Sequence, residues 1–140
     1  MSVTVSQTGD LAACHALRRT VFIIEQNVAE HEELDGLDAQ ALHLLAVEGD
    51  TPVGTARILV KDGTAKIGRV CVLSAHRGTG LGARIMQAAI ELAGAQPGVT
   101  QARLGAQLHA LGFYEKLGFT ACGPVYDDAG IDHRDMVRAL

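Results

Sequence analysis

The 140-residue chain predicts an α+β (mixed α/β) fold, with a largely antiparallel central sheet flanked by about four helices. Three stretches rich in β-branched and apolar residues, Leu42–Val47, Val53–Val60 and Ala65–Leu73, are separated only by turn residues and read as neighbouring strands. Two other stretches repeat their apolar residues at helical spacing instead. A glycine-rich run, Arg77-Gly78-Thr79-Gly80-Leu81-Gly82, joins the last of those strands to the second helix.

Taken in order, Val3-Thr4-Val5 is a short first strand. Asp10 can cap a helix whose apolar stripe is Leu11, Cys14, Leu17, Val21 and Ile24, running to about Gln26. Asn27–Asp38 holds Glu30, Glu32, Glu33, Asp35 and Asp38 with few apolar residues, so it reads as a loop or short helical turn with a solvated acidic face. A turn through Gly49-Asp50-Thr51-Pro52 and the hairpin signal Asp62-Gly63 arrange the three strands as an antiparallel meander. Leu81, Ile85, Ala88 and Leu92 then line one helix face, with Arg84, Gln87 and Glu91 on the other, and the helix ends near Gly94. Pro97-Gly98 breaks the chain before a strand at Val99–Leu104 and a helix over about Ala106–Leu117. Thr120-Ala121-Cys122 and Met136–Leu140 read as short last strands, joined through Asp127-Asp128-Ala129-Gly130.

Composition narrows the classes. A chain this long forms one domain, residues 1–140, with room for a core but not for a second domain. Only 12 lysines and arginines and a net charge of −4 argue against a nucleic-acid partner. No apolar run approaches the roughly 18 residues of a membrane span, and Met1–Asp10 lacks a signal-peptide pattern. Cys14, Cys71 and Cys122 have no C-x-x-C spacing, so neither a disulfide framework nor a metal site is expected, and the expected location is the cytoplasm. Cys71, without a histidine beside it in sequence, reads as a core thiol.

The glycine run between strand and helix has the makings of an anion cradle. A helix start leaves backbone N–H groups without intrahelical partners and carries the positive end of the macrodipole, and glycine lets a ligand approach that backbone. It is not a P-loop, because Gly-Lys-Ser/Thr is missing. Gly78-Thr79-Gly80-Leu81-Gly82-Ala83 fits the loose dinucleotide pattern, yet no acidic residue follows between Leu92 and His109, where a ribose-binding carboxylate belongs. A turn that only lets the helix pack on the sheet is the plain alternative.

Arg77-x-x-Gly80-x-Gly82 after a strand resembles the acetyl-CoA pyrophosphate motif of the GNAT superfamily of N-acetyltransferases, R/Q-x-x-G-x-G/A. Downstream, Phe113-Tyr114-Glu115-Lys116-Leu117-Gly118-Phe119 resembles that family's F-Y-x-K-x-G-F hallmark. Val21-Phe22-Ile23-Ile24-Glu25-Gln26, with Leu34-Asp35-Gly36-Leu37-Asp38 and Gly130-Ile131-Asp132-His133, is similar to a bacterial subgroup typified by V-F-x-x-E-Q, mostly of undefined substrate. The resemblance implies a central sheet splayed between its fourth and fifth strands to admit pantetheine.

It also implies roles. Main-chain groups of Val70 and Val72 would meet pantetheine and the thioester carbonyl, and the amides of Arg77, Gly78, Thr79, Gly80, Gly82 and Ala83 would hold the pyrophosphate. Tyr114 matches the tyrosine that protonates the leaving thiolate, although it could simply pack with Leu108, Leu111 and Leu117 along one stripe. Gln107 stands where the family often has a cofactor-side asparagine, and Ser74 where it often has proline. Glu25 and Gln26 would border the acceptor cleft, with Glu25 as acceptor binder or as base through water, or else in a surface ion pair. A base is wanted because an alkyl amine of pKa about 10 is protonated at neutral pH. His109 and His133 stand behind Glu25, and His109 reads equally as a surface group. Arg69, on the strand face opposite Val70 and Val72 by alternation, could bind an acceptor carboxylate or phosphate or pair with an acidic group.

The expected activity is therefore acetyl transfer from acetyl-CoA, a co-substrate, to a primary amine by direct attack in a ternary complex, without a metal. The expected acceptor is a small molecule, which the acidic loop tilts toward a cation; a homodimer is the commonest assembly for a soluble chain that self-associates. The rivals are a non-catalytic acyl-CoA-binding or sensing module on the same fold and a nucleotide-binding regulatory domain.

Overall fold

The computed structural model describes residues 2–140. Four strands, β1 (Val3–Thr8), β2 (Leu42–Glu48), β3 (Thr51–Lys61) and β4 (Thr64–Val72), pair antiparallel in succession. Asp62 and Gly63, at φ of 52° and 77°, make the tight β3–β4 reversal that Asp-Gly favours. β5 (Gln101–Gln107), β6 (Thr120–Asp128) and β7 (Ile131–Ala139) complete one sheet in the order β1-β2-β3-β4-β5-β7-β6 among the described residues.

Two irregularities of that sheet shape the site. β5 runs parallel to β4 but pairs with it only from Thr64↔Gln101 to Lys66↔Arg103. Its other edge stays paired with β7 as far as Gln107↔His133. β4 and β5 therefore part beyond Lys66. The second irregularity is a bulge: Thr55 pairs with Cys71 and Arg57 with Gly68, so β4 carries one residue more than β3 there, and Arg69 takes a φ of 52°. The extra residue breaks the simple alternation expected for Arg69.

Helices α1 (Leu11–Arg18), α2 (Glu30–Glu33), α3 (Leu81–Gly94) and α4 (Leu111–Glu115) flank the sheet. Ile85, Met86, Ala89 and Ala93 of α3 pack with Ile58, Ile67, Leu104 and Met136 in the main core. Cys14, Leu17 and Val21 pack with Leu45 and Cys71 in a second cluster. Gly54 lets α3 lie close to β3, since a Cβ there sits 2.7 Å from Ile85 Cδ1 and 3.1 Å from the Cys71 carbonyl. Gly54→Val is expected to lose roughly 1–3 kcal/mol by overpacking, read as a lower melting temperature.

Three expectations change. The first helix does not continue regularly to Gln26: Arg19–Glu25 winds with wider π-type turns, Gln26 N–H donating to the Val21 carbonyl at 3.1 Å. Ile24, expected on the buried stripe, is 65% exposed. The helix expected over Ala106–Leu117 shortens to α4 after a 3₁₀ turn at Leu108–Ala110, because Ala106 and Gln107 pair with Arg134 and His133. β6 and β7 are much longer than expected, closing over Ala129 and Gly130 at φ of 54° and 80°.

Candidate active site

The parting of β4 and β5 opens a cleft of about 480 Å³. Leu73 N–H donates to the Val53 carbonyl at 2.9 Å, so by strand alternation the main-chain groups of Val72 and Val70 face away from β3, into the gap. Val70 lies in the bulge without a partner in either neighbouring strand. The Val72 carbonyl is not free, because Arg77 Nε donates to it at 2.9 Å.

Below the cleft, Gly78 and Gly80 hold φ of 76° and 84°, and a Cβ on either meets nothing within 4 Å. These glycines answer to backbone conformation rather than to space. Gly80 caps α3 with no side-chain hydrogen bond, and the first helical bond is Arg84 N–H to the Gly80 carbonyl at 3.2 Å. The amides of Gly82 and Ala83 precede that bond and form an uncapped helix start suited to an anion. Among the amides expected to hold pyrophosphate, that of Arg77 is already engaged, donating to the Ser74 carbonyl at 3.3 Å.

Gln26, Arg69, Val70, Gln107, His109, Tyr114 and His133 line the cleft. Glu25 does not: the wide turn at Arg19–Glu25 leaves its carboxylate 2.6 Å from Arg77 Nη2, beside the glycine loop. Glu25 thus takes the surface ion pair that was its alternative reading. Gln107 Nε2 donates to Gln26 Oε1 at 3.1 Å, and His109 Nε2 donates to Gln107 Oε1 at 2.8 Å, which ties the end of the first helix to β5. Tyr114 meets Phe113 and Phe119 edge-on, with ring centres 5.0 and 6.2 Å away. Burial alone pushes its hydroxyl above the usual tyrosine value, so it stays protonated at neutral pH.

His133 has a defined tautomer. Nδ1 donates to the Ile131 carbonyl at 2.7 Å, which leaves the lone pair on Nε2. Its ring stacks on Tyr126, whose hydroxyl donates to Asp135 at 2.7 Å. The Tyr126 hydroxyl also lies against Gly105, where any Cβ collides with it. Cys71 is a core thiol, pushed up to about 12 by burial.

The acidic segment departs most from expectation. Asp35 and Asp38, read as part of a solvated face, turn inward onto arginines carried by apolar elements. Arg18, fully buried, donates to both Asp38 oxygens at 2.8 and 2.9 Å and to His43 Nδ1 at 3.2 Å. Arg57 grips Asp35 with two bonds of 2.9 and 2.8 Å and reaches Asp38 at 3.3 Å. Arg69 Nη2 donates to the carbonyls of Glu32 and Glu33 and to Asp35. The signal that exposes this network is Arg18, His43 and Arg57 inside otherwise apolar runs, a pattern that calls for buried partners.

The Arg57 bonds hold the Asp35 carboxyl below its ordinary value against the effect of burial. Burial alone raises Asp38, but hydrogen bonds from Arg18 and His15 outweigh it and hold Asp38 well below the usual carboxylate range. For depressed carboxylates the stabilisation is complete above the unfolded-state pKa of about 4 and drains away as pH falls toward the folded values. The melting temperature is therefore expected to drop below about pH 4, and Asp38→Asn is expected to flatten that acid limb.

A sheet opened between two parallel strands, the first of which leads into a glycine-rich, uncapped helix start, is the architecture of an acyltransferase fold. The family profile described as an acetyltransferase (GNAT) domain matches residues 11–140, and the chain belongs to the GNAT acetyltransferase family. It is 41% identical over 123 residues, 87% of each chain, to a Bacillus subtilis protein called "Uncharacterized N-acetyltransferase YjcF". Among solved structures, an acyl-CoA N-acyltransferase from Pseudomonas aeruginosa superposes with a TM-score of 0.89 at 33% identity, covering 99% of this chain and 100% of that one. Escherichia coli ElaA does so with a TM-score of 0.87 at 32% identity, covering 98% and 99%. No helix among the described residues is long and apolar enough to cross a membrane.

Proposed function

We propose that the protein transfers an acetyl group from acetyl-CoA to a primary amine of a small molecule by direct attack in a ternary complex. The observation that carries this reading is the cleft itself: β4 and β5 part beyond Lys66, the chain leaving β4 leads to the uncapped start of α3, and Tyr114 lines the cleft. The free amides of Gly78, Thr79, Gly80, Gly82 and Ala83 are the groups that would hold the pyrophosphate, with Gln107 on the same side. Acetyl-CoA supplies an acyl group activated for attack by an amine.

Each remaining task falls to a group of this chain. The Val70 main chain, at the bulge and without a register partner, polarises the thioester carbonyl through its N–H. Tyr114 delivers its hydroxyl proton to the departing sulfur as the new C–N bond forms. His133, rather than Glu25, takes the proton that the acceptor ammonium loses before attack, since its Nε2 lone pair is open in the cleft and Glu25 is held by Arg77. Gln26 and Arg69 line the acceptor side. His133→Gln is expected to lower kcat/KM about 10²-fold while leaving CoA affinity unchanged. A loss of that size with CoA affinity intact identifies the base; an unaltered kcat/KM returns that role to another group.

Thermal unfolding with acetyl-CoA, CoA, NADH and ATP in parallel tests the cofactor assignment. At about 100 times its Kd, a ligand that binds only the folded chain adds about 2.7 kcal/mol of stability. A rise in melting temperature with the two CoA species alone supports the reading, and thiol release with an amine panel then tests turnover. No rise with either CoA species overturns it.

A further inference from the structure

Resting on the acetyltransferase reading, we propose that Glu33 is the anchor for the acceptor, receiving a cationic ammonium group of the amine substrate in the cleft. Glu33 lines the cleft yet is only 3% exposed. Its Oε1 is buried and has no hydrogen-bond partner. Two guanidiniums flank that oxygen in long ion pairs, Arg18 Nη1 at 3.6 Å and Arg69 Nε at 3.7 Å, beyond hydrogen-bond distance.

Those guanidiniums do not close the gap because each is held elsewhere: Arg18 by Asp38 and His43, and Arg69 by the carbonyls of Glu32 and Glu33 and by Asp35. The other inward-turned carboxylates of the segment are taken, Asp35 by Arg57 and Asp38 by Arg18 and His15. Glu33 Oε1 thus lies beside the cleft ion-paired but without a hydrogen-bond donor, and a buried acceptor left without one is costly. An ammonium brings charge and N–H donors to that oxygen. A neutral nucleophile brings fewer donors and no charge. Arg69 Nε is itself buried without a partner beside it, so an acceptor with a hydroxyl or carbonyl next to its ammonium satisfies both groups.

The test compares the whole protein with Glu33→Gln and Glu33→Asp, using ethanolamine, 1,4-diaminobutane and glycinamide as probes and aniline as a neutral control. Calorimetry of each probe into CoA-saturated protein reads binding independently of turnover. Thiol release reads KM and kcat, and CoA titration reports the cofactor site by itself.

The expected result is at least a tenfold loss of affinity for the cationic probes in Glu33→Gln, with CoA affinity unchanged and partial recovery in Glu33→Asp. A merely structural carboxylate lowers the melting temperature of Glu33→Gln and leaves probe affinity and KM where they were, which overturns the proposal. So does a wild-type protein that binds none of the cationic probes, or binds aniline better. If Glu33→Gln fails to fold, Glu33→Asp, which keeps the charge but withdraws it by one methylene, must still raise KM. Failure of CoA itself to bind overturns the acetyltransferase reading instead, and the two failures are distinguishable.

Discussion

Tyr114→Phe is expected to lower kcat by about 10²–10³-fold while leaving CoA affinity within about twofold. The ring stays in place, because its edge contacts with Phe113 and Phe119 involve carbon atoms only. Only the hydroxyl is lost, and with it the proton for the departing sulfur. Burial, by raising the hydroxyl above its ordinary value, keeps that proton available throughout the neutral range. Single-turnover thiol release at saturating acetyl-CoA measures the step directly. An unchanged rate assigns protonation of the sulfur to solvent and leaves Tyr114 a packing residue; lost CoA affinity shows that the hydroxyl serves cofactor binding rather than proton transfer.

The second large effect concerns stability. Arg18→Met is expected to cost about 3–5 kcal/mol, because it strips a fully buried cation from Asp38 and from the neighbourhood of Glu33. For a domain of this size that is a fall in melting temperature on the order of 10–20 °C. Breaking one side of a buried pair is worse than removing both, so Arg18→Met combined with Asp38→Asn is expected to recover part of the loss. Denaturant unfolding of both single variants and the double variant gives the coupling; simple additivity shows that the two groups act independently despite their 2.8 Å contact.

Much of the fold was legible in the residues. The Asp62-Gly63 reversal, the glycines at positive φ before α3 and the antiparallel meander all rest on dihedral preferences of one or two residues, which the chain carries locally. The tyrosine on the cleft wall was legible for a different reason, since Phe113–Phe119 resembles a family hallmark even though α4 is shorter than the helix expected there.

Glu25 marks the boundary. Its place at the end of the first helix followed from the sequence, but the partner that removes it from the cleft is Arg77, and nothing in the local pattern signals the π-type turns that bring the two together. The acidic segment shows the same limit. Glu33, Asp35 and Asp38 look like any solvated run of carboxylates until Arg18, Arg57 and Arg69 arrive from three other elements, and Arg18 lies 20 residues from Asp38 in sequence. The sequence by itself determined the strand meander, the glycine turn into α3 and the family. Only the tertiary structure decided where β4 parts from β5 and which carboxylates of the acidic segment accept hydrogen bonds from arginines. Backbone preferences act over a few residues, whereas the environment of a buried charge depends on whatever distant segments the completed fold packs around it.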